Sequence, residues 1–238
     1  MGRAFEFRKA RKLKRWSSMA KTFTRIGKDI SVAVKEGGPN PESNSRLRAV
    51  IQNAKAANMP KENITRAIKN ASDKNTENFK ELIMEGYGPH GIAIIIDCIT
   101  DNNNRTVANI RSYFNKCNGS LATSGSVEFL FTRYSTFKIE NNVDQDDLEF
   151  ELIDYGLEEI VVDNDNNHLV IYANFDSFGK IQSELEKRGI IIINSGFERI
   201  TSNYKDLNKD QKNDIDKLLE MCEGDDDVQN VYHNIGNS

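Results

Sequence analysis

Four cations pose the first chemical question. Arg48 and Lys55 stand seven residues apart, and Arg66 and Lys69 three apart, in the stretch NSRLRAVIQNAKAANMPKENITRAIKNA at 44–71. At a helical period, each pair shares one flank of a helix. Cations presented this way bind phosphate, and each neutralised phosphate releases counterions. A second group lies upstream. Residues 2–15 hold seven cations and one acid, among them Arg8, Lys9, Arg11, Lys12, Lys14 and Arg15. Charges this dense repel one another and call for a counter-charge. Phe5, Phe7 and Trp16 are interleaved with them. These rings suit either stacking on bases or anchoring the segment to what lies behind it. Lys21, Arg25 and Lys28, spaced by four and three, continue the series.

Other chemistries are weaker. Asp97, Asp101 and His90 fall near a strand end, where α/β active sites occur. There is no phosphate loop, nucleophile elbow or paired base to join them. No catalytic residue is assigned and no cofactor is expected. Asp225, Asp226 and Asp227 form an acidic run without the EF-hand spacing, which reads as a solvated surface rather than a cation site. Cys98, Cys117 and Cys222 are far apart, with no C-x-x-C. That fits a reducing compartment and no disulfide framework. His90, His168 and His233 form no ligand spacing, so no metal is expected.

The elements that must carry the cations are legible as periodicities. Leu47, Val50, Ile51 and Ala54 step as i, i+3, i+4 and i+7, and Ile64, Ala67, Ile68 and Ala71 repeat the pattern. Asn58-Met59-Pro60 makes a corner between two helices, with Pro60 at the first helical position. Met19, Phe23, Ile26, Ile30 and Ala33 mark a third helix, stopped by Gly37-Gly38-Pro39. Asn40-Pro41 is read as the start of the next helix. Residues 2–15 are read as disordered until they bind.

Beyond a polar linker at 72–78 the period changes. Leu82–Tyr87 and Ile92–Ile99 read as strands joined at Gly-Pro-His-Gly, the second apolar throughout and so buried on both faces. Asp101–Thr106 caps a helix with Val107, Ile110, Tyr113 and Phe114, and Val127, Phe129 and Phe131 alternate as a strand. Residues 135–201 run β-α-β-β-α-β, the ferredoxin-like order. The tail adds an amphipathic helix with Ile215, Leu218, Leu219 and Cys222, then a strand from Val228. An orphan amphipathic helix must bury its stripe. The expected fold is α+β with three domains: a basic helical domain at 1–78, a discontinuous α/β domain at 79–133 plus 204–238, and an inserted ferredoxin-like domain at 134–203.

Charge divides the same way. Residues 1–69 hold 17 Lys+Arg against 5 Asp+Glu, a balance of +12, and the remainder hold 15 against 31, a balance of −16. The asymmetry points to a polyanionic partner for the front and keeps the acidic rear away from it. No run reaches the length of a membrane span.

The segments GGPNPESNSRLRAVIQNAKAANMPKENITRAIKNA (37–71), EGYGPHGIAIIIDCITDNNNRT (85–106) and GSVEFLF (125–131) resemble the YebC/PmpR family of bacterial proteins. That family includes a mitochondrial translational activator of cytochrome oxidase subunit one. The resemblance spans essentially the whole chain, although the opening Gly2-Arg-Ala-Phe-Glu-Phe-Arg8 differs from the family's usual start, as in a divergent subgroup. It implies a helical domain and two α/β domains, a cytoplasmic location and no enzymatic activity; a monomer is expected. It carries Arg46, Arg48, Lys55, Lys61, Arg66, Lys69 and Arg105 into the shared motifs as nucleic-acid contacts. It implies either a ribosome-associated translation factor that relieves stalling or a DNA-binding transcriptional regulator; the basic front fits ribosomal RNA, and the acidic surface of the rear domains suits basic ribosomal proteins.

Overall fold

A computed structural model describes the backbone of residues 3–73, 78–163 and 167–236, and the side chains from residue 19 onward in those ranges. The central residues of the expected linker and of the Asn/Asp turn after Asp163 lie outside them, as do the side chains of Phe5, Phe7 and Trp16.

The chain opens on α1 (Arg3–Gly37), a helix of 35 residues. The basic N-terminal segment is therefore helical, not the disordered arm expected, since it extends a helix already anchored downstream. Phe23, Ile26, Ile30, Ala33 and Val34 of α1 join Leu47 and Ala54 of α2 (Ser45–Ala56) and Ile64 and Ala71 of α3 (Lys61–Ser72) in one apolar cluster. Helix α2 starts at Ser45, not at Pro41 as the Asn40-Pro41 pair implied. Asn40 instead accepts the Glu42 N–H at 3.0 Å, a local turn. The capping residue is Asn44, whose Oδ1 accepts the Leu47 N–H at 2.9 Å. Its Nδ2 donates to the carbonyls of Ala33 and Gly38, at 2.7 and 2.8 Å. This one buried amide caps α2 and satisfies orphan carbonyls at the end of α1. The turn between α2 and α3 places Asn58 in the left-handed region, φ 59°, and Pro60 immediately before the first helical residue.

Two four-stranded antiparallel sheets follow. In the first, β1 (Lys80–Tyr87), β2 (Ala93–Thr100), β3 (Ser120–Leu121) and β8 (Val228–His233) lie in the order β3-β1-β2-β8. The tail strand thus pairs with β2 across some 130 intervening residues, with Ile96 opposite Val231. Strand β2 is central and covered on both sides, as its unbroken apolar run predicts. Ile94, Ile96 and Cys98 pack under α4 (Asn103–Lys116) and α7 (Lys209–Gly224) with Ile110, Phe114, Ile215 and Leu218. Ala93 and Ile95 pack on the opposite face with Val127 and Phe131. Each fully buried isoleucine contributes roughly 2 kcal/mol.

The expected strand through Val127, Phe129 and Phe131 is a short 3-10 turn, and Phe129 is 75% exposed. The cause is Glu85 on β1. Its buried carboxylate accepts the N–H groups of Gly125, Val127 and Glu128 at 2.6–2.9 Å. Three backbone donors converging on one carboxylate cannot also sit in an extended ladder. They also draw the Glu85 carboxyl below its ordinary range against the opposing effect of burial.

The second sheet holds β4 (Thr132–Glu140), β5 (Leu157–Asp163), β6 (His168–Asn174) and β7 (Ile192–Ile200) in the order β5-β6-β4-β7. With α5 (Gln145–Leu152) and α6 (Phe178–Lys187) on one face, this is the ferredoxin-like arrangement. It is inserted between β3 and α7 of the middle unit, and the fold is α+β as expected. Strand β7 starts two residues later than its apolar run implies, because Gly189 ends α6 in a left-handed conformation, φ 71°. Among the described residues no helix is long and apolar enough to cross a membrane.

Candidate nucleic-acid interface

The apolar stripes of α2 and α3 turn inward, so the cations between them turn outward. Lys55 sits in the last turn of α2, and Lys61, Arg66 and Lys69 on α3, all exposed. The ion pairs among the described residues do not involve these four. Among the described residues Arg66 bonds only its neighbour Asn63. Lys61 occupies the first turn of α3, where the helix dipole disfavours a cation, and no side chain caps that terminus. Open amides beside a lysine form a favourable place for an anion.

The other candidates are engaged within the protein. Arg46 bridges Glu36 at 2.6 Å and also Glu81. Arg48 donates to the carbonyls of Pro41 and Glu42 at 2.8 and 3.0 Å and pairs with Glu186 at 3.3 Å. Arg46 thus joins the helical domain to β1 of the first sheet, and Arg48 joins it to α6 of the inserted domain.

Lys21, Arg25 and Lys28 are engaged at the opposite end of the chain. Lys21 Nζ donates to the Gly224 carbonyl at 3.2 Å, and Arg25 to the Glu223 carbonyl at 2.8 Å. Lys28 donates to the Asp226 carbonyl at 2.7 Å and pairs with Asp227 at 2.6 Å. Cations on α1 thus cap the C-terminal end of α7, the end that attracts positive charge. Lys28 is only 8% exposed. It is a buried interdomain anchor, not the phosphate contact that its spacing implied. Arg105 shares the same acceptor: its guanidinium reaches Asp227 at 2.9 Å and Asp101 at 2.7 Å. The side chains of Arg8, Lys9, Arg11, Lys12, Lys14 and Arg15 lie outside the described residues.

The acidic run is solvated at Asp226 but not at Asp227. Asp227 is buried, and besides Lys28 and Arg105 it accepts the hydroxyls of Thr106 at 2.7 Å and Thr100 at 3.2 Å. Burial opposes its charge, but these donors hold its carboxyl at about 2. Asp225 accepts Tyr113 at 3.0 Å. The residues weighed for catalysis are apportioned to separate partners: His90 to Asp214, Asp101 to Arg105 and Asp97 to Arg199. All three cysteines are free, and burial pushes the Cys98 and Cys222 thiols far above their ordinary value.

Two residues that the periodicity does not single out hold the domains together, and a third, Asp29, is half-buried beside them. Asn53 on α2 forms a two-way amide clamp with the Ser195 backbone on β7, at 2.9 and 2.6 Å. Tyr232 on β8 donates to the Phe197 carbonyl at 3.1 Å. Asp29 on α1 lies near Arg46 and Glu81, and burial pushes its carboxyl from 3.8 to about 7, with Arg46 opposing the rise. The unfolded chain releases this proton near pH 4, whereas the folded chain keeps it to about pH 7. Its contribution to stability is therefore full below the unfolded value, falls between these limits and is lost above. Asp29→Asn is expected to raise stability at pH 8 by on the order of 2 kcal/mol and to flatten the decline from pH 4 to 7. Urea unfolding across that range checks this. Curves that stay parallel to the parent's would contradict it.

The geometry defines a class: an α+β protein in which a basic helical hairpin is locked, through α1, onto two acidic sheet domains, one inserted in the other. A family model described as the TACO1/YebC protein N-terminal domain matches residues 3–74, and one for the TACO1/YebC second and third domain matches residues 79–235. The chain belongs to the TACO1/YebC family. It is 65% identical over 234 residues to a "Probable transcriptional regulatory protein" of Flavobacterium johnsoniae, with 98% of each chain covered. It is 53% identical over 237 residues to a protein of the same description from Parabacteroides distasonis, covering 99% of this chain and 97% of the other. The crystal structure of a conserved hypothetical protein from Aquifex aeolicus matches with a TM-score of 0.78 at 35% identity, over 91% of this chain and 90% of that one.

Proposed function

We propose that this protein is a non-enzymatic, nucleic-acid-binding regulator of gene expression, gripping the phosphate backbone through the α2–α3 hairpin and the basic first half of α1. One observation carries this: among the described residues Lys55, Lys61, Arg66 and Lys69 are exposed and enter no ion pair, while Lys21, Arg25, Lys28, Arg46 and Arg48 are engaged within the protein. Backbone contacts hold register but carry little sequence information. That suits a folded RNA, and we take ribosomal RNA and translation as the primary reading, with ribosomal proteins as candidate partners of the acidic domains. The second reading, a DNA-binding transcriptional regulator, is favoured by the names of the relatives.

The test is binding of the full chain to ribosomal RNA fragments and to duplex DNA as salt is varied. With about six phosphates contacted, affinity falls about a thousandfold between roughly 50 and 200 mM salt. Salt-independent binding would refute the backbone grip. Comparable affinity for random duplex DNA and a promoter, well below that for ribosomal RNA, favours translation.

A further inference from the structure

The three domains meet around a cleft of about 540 Å³, large enough for one nucleoside. From β4 and the rest of the second sheet's domain it is lined by Arg133, Phe175, Ser195 and Phe197, and from the first sheet by Asp97 and Gln229. Four polar atoms of these residues are shielded from water and make no hydrogen bond: Arg133 Nε, Ser195 Oγ, Gln229 Nε2 and Asp97 Oδ1, the last facing the Arg199 guanidinium at 3.5 Å in the ion pair described above. Ser195 is itself only 2% exposed. Folded proteins leave few such groups, because each is costly to desolvate unpaired. Their gathering around one cleft is an unmet hydrogen-bonding demand.

The cleft also offers flat surfaces. The Arg133 guanidinium lies 3.9 Å from the centre of the Phe175 ring and 4.9 Å from that of Phe197. Aromatic and guanidinium planes are the surfaces on which unpaired bases stack. Its charge is balanced rather than positive. Glu81 and Asp97 stand against Arg46 and Arg133, and Arg46 is already paired with Glu36 and Glu81. A phosphate would gain little there. A neutral, planar ligand with both donors and acceptors fits.

We propose that this cleft receives one unstacked nucleobase, guanine matching it best. The Watson–Crick edge of guanine sets two N–H donors beside the O6 acceptor. A carboxylate oxygen and nearby amide and guanidinium donors complement that edge. Entry parts the domains enough to uncover the four shielded atoms. The site is separate from the hairpin cations and does not depend on their role.

Calorimetry of the full chain with the four ribonucleosides tests this. Guanosine is expected to bind saturably and about tenfold or more tighter than adenosine, cytidine or uridine, with little dependence on salt. Asp97→Asn and Gln229→Ala are each expected to weaken it about tenfold, with urea unfolding confirming the fold. Gln229 is only partly buried, so its variant stays informative if Asp97→Asn fails to fold. Reversing the four hairpin cations leaves guanosine binding unchanged, which separates failure here from failure of the phosphate grip. A short uridine-rich RNA with one guanine identifies the source. Measured on the hairpin-reversed variant and against an all-uridine strand of the same length, a gain from the single guanine that exceeds guanosine binding means a base within a strand, and a gain no larger means a free nucleoside. No saturable guanosine binding, equal binding of all four nucleosides, or binding untouched by both substitutions would overturn the assignment.

Discussion

Asp227→Ala is expected to destabilise the protein by about 3 kcal/mol or more, lowering the melting temperature by about 10 °C. The carboxylate is 3% exposed and is the acceptor shared by Lys28, Arg105, Thr106 and Thr100. Removing it leaves a buried ammonium on α1 with the Asp226 carbonyl but no counter-charge, and takes an acceptor from two buried hydroxyls of the middle domain. Lys28→Met should cost less, because Asp227 keeps Arg105 and both threonines. Combining the two should cost less than the sum of the singles, since neither charge is then left alone. Additive effects in that cycle would mean that the pair is not the anchor of α1. The pH dependence runs opposite to that of Asp29. Held at about 2 against an ordinary 3.8, Asp227 contributes stability that is complete above the unfolded value and lost as pH falls through the folded one. Acid unfolding of Asp227→Ala should therefore begin from a lower plateau and show a shallower fall below about pH 4.

The second large effect concerns binding. Reversing Lys55, Lys61, Arg66 and Lys69 together to glutamate is expected to weaken nucleic-acid binding on the order of a thousandfold near 0.1 M salt, and to reduce the slope of log affinity against log salt by about 3 to 4. All four side chains are exposed and outside the apolar cluster of the three helices, so unfolding curves should match the parent's. Reversing Lys21 and Arg25 should act differently. These two cap the last carbonyls of α7, and their loss should appear mainly as stability. If the hairpin variant bound RNA and DNA as well as the parent, the contact surface would have to lie elsewhere.

Much of this was legible because it is local and periodic. The stripes Leu47–Ala54 and Ile64–Ala71 announce which faces of α2 and α3 are buried, and every residue in them joins the same cluster. The run Ile92–Ile96 signals a strand with no solvent face, and β2 lies between β1 and β8. The insertion follows from a packing demand, since α7 carries a stripe that only the middle sheet can cover. What failed did so where a distant side chain outweighed a local preference. Val127–Phe131 alternates like a strand, yet Glu85 draws its amides into a turn. Asn40-Pro41 has the chemistry of a helix start, yet Asn44 caps α2 because it also meets the end of α1.

By itself, the sequence determined the helix and strand periods, the ferredoxin-like order, the family motifs and a basic front joined to an acidic rear. Only the tertiary structure decided which cations remain free. Lys28 and Lys55 are chemically alike, but one meets Asp227 across 199 residues of chain and the other meets solvent. A charge acts through its nearest partner at a few ångströms, and linear spacing says nothing about a partner brought up from the far end of the chain.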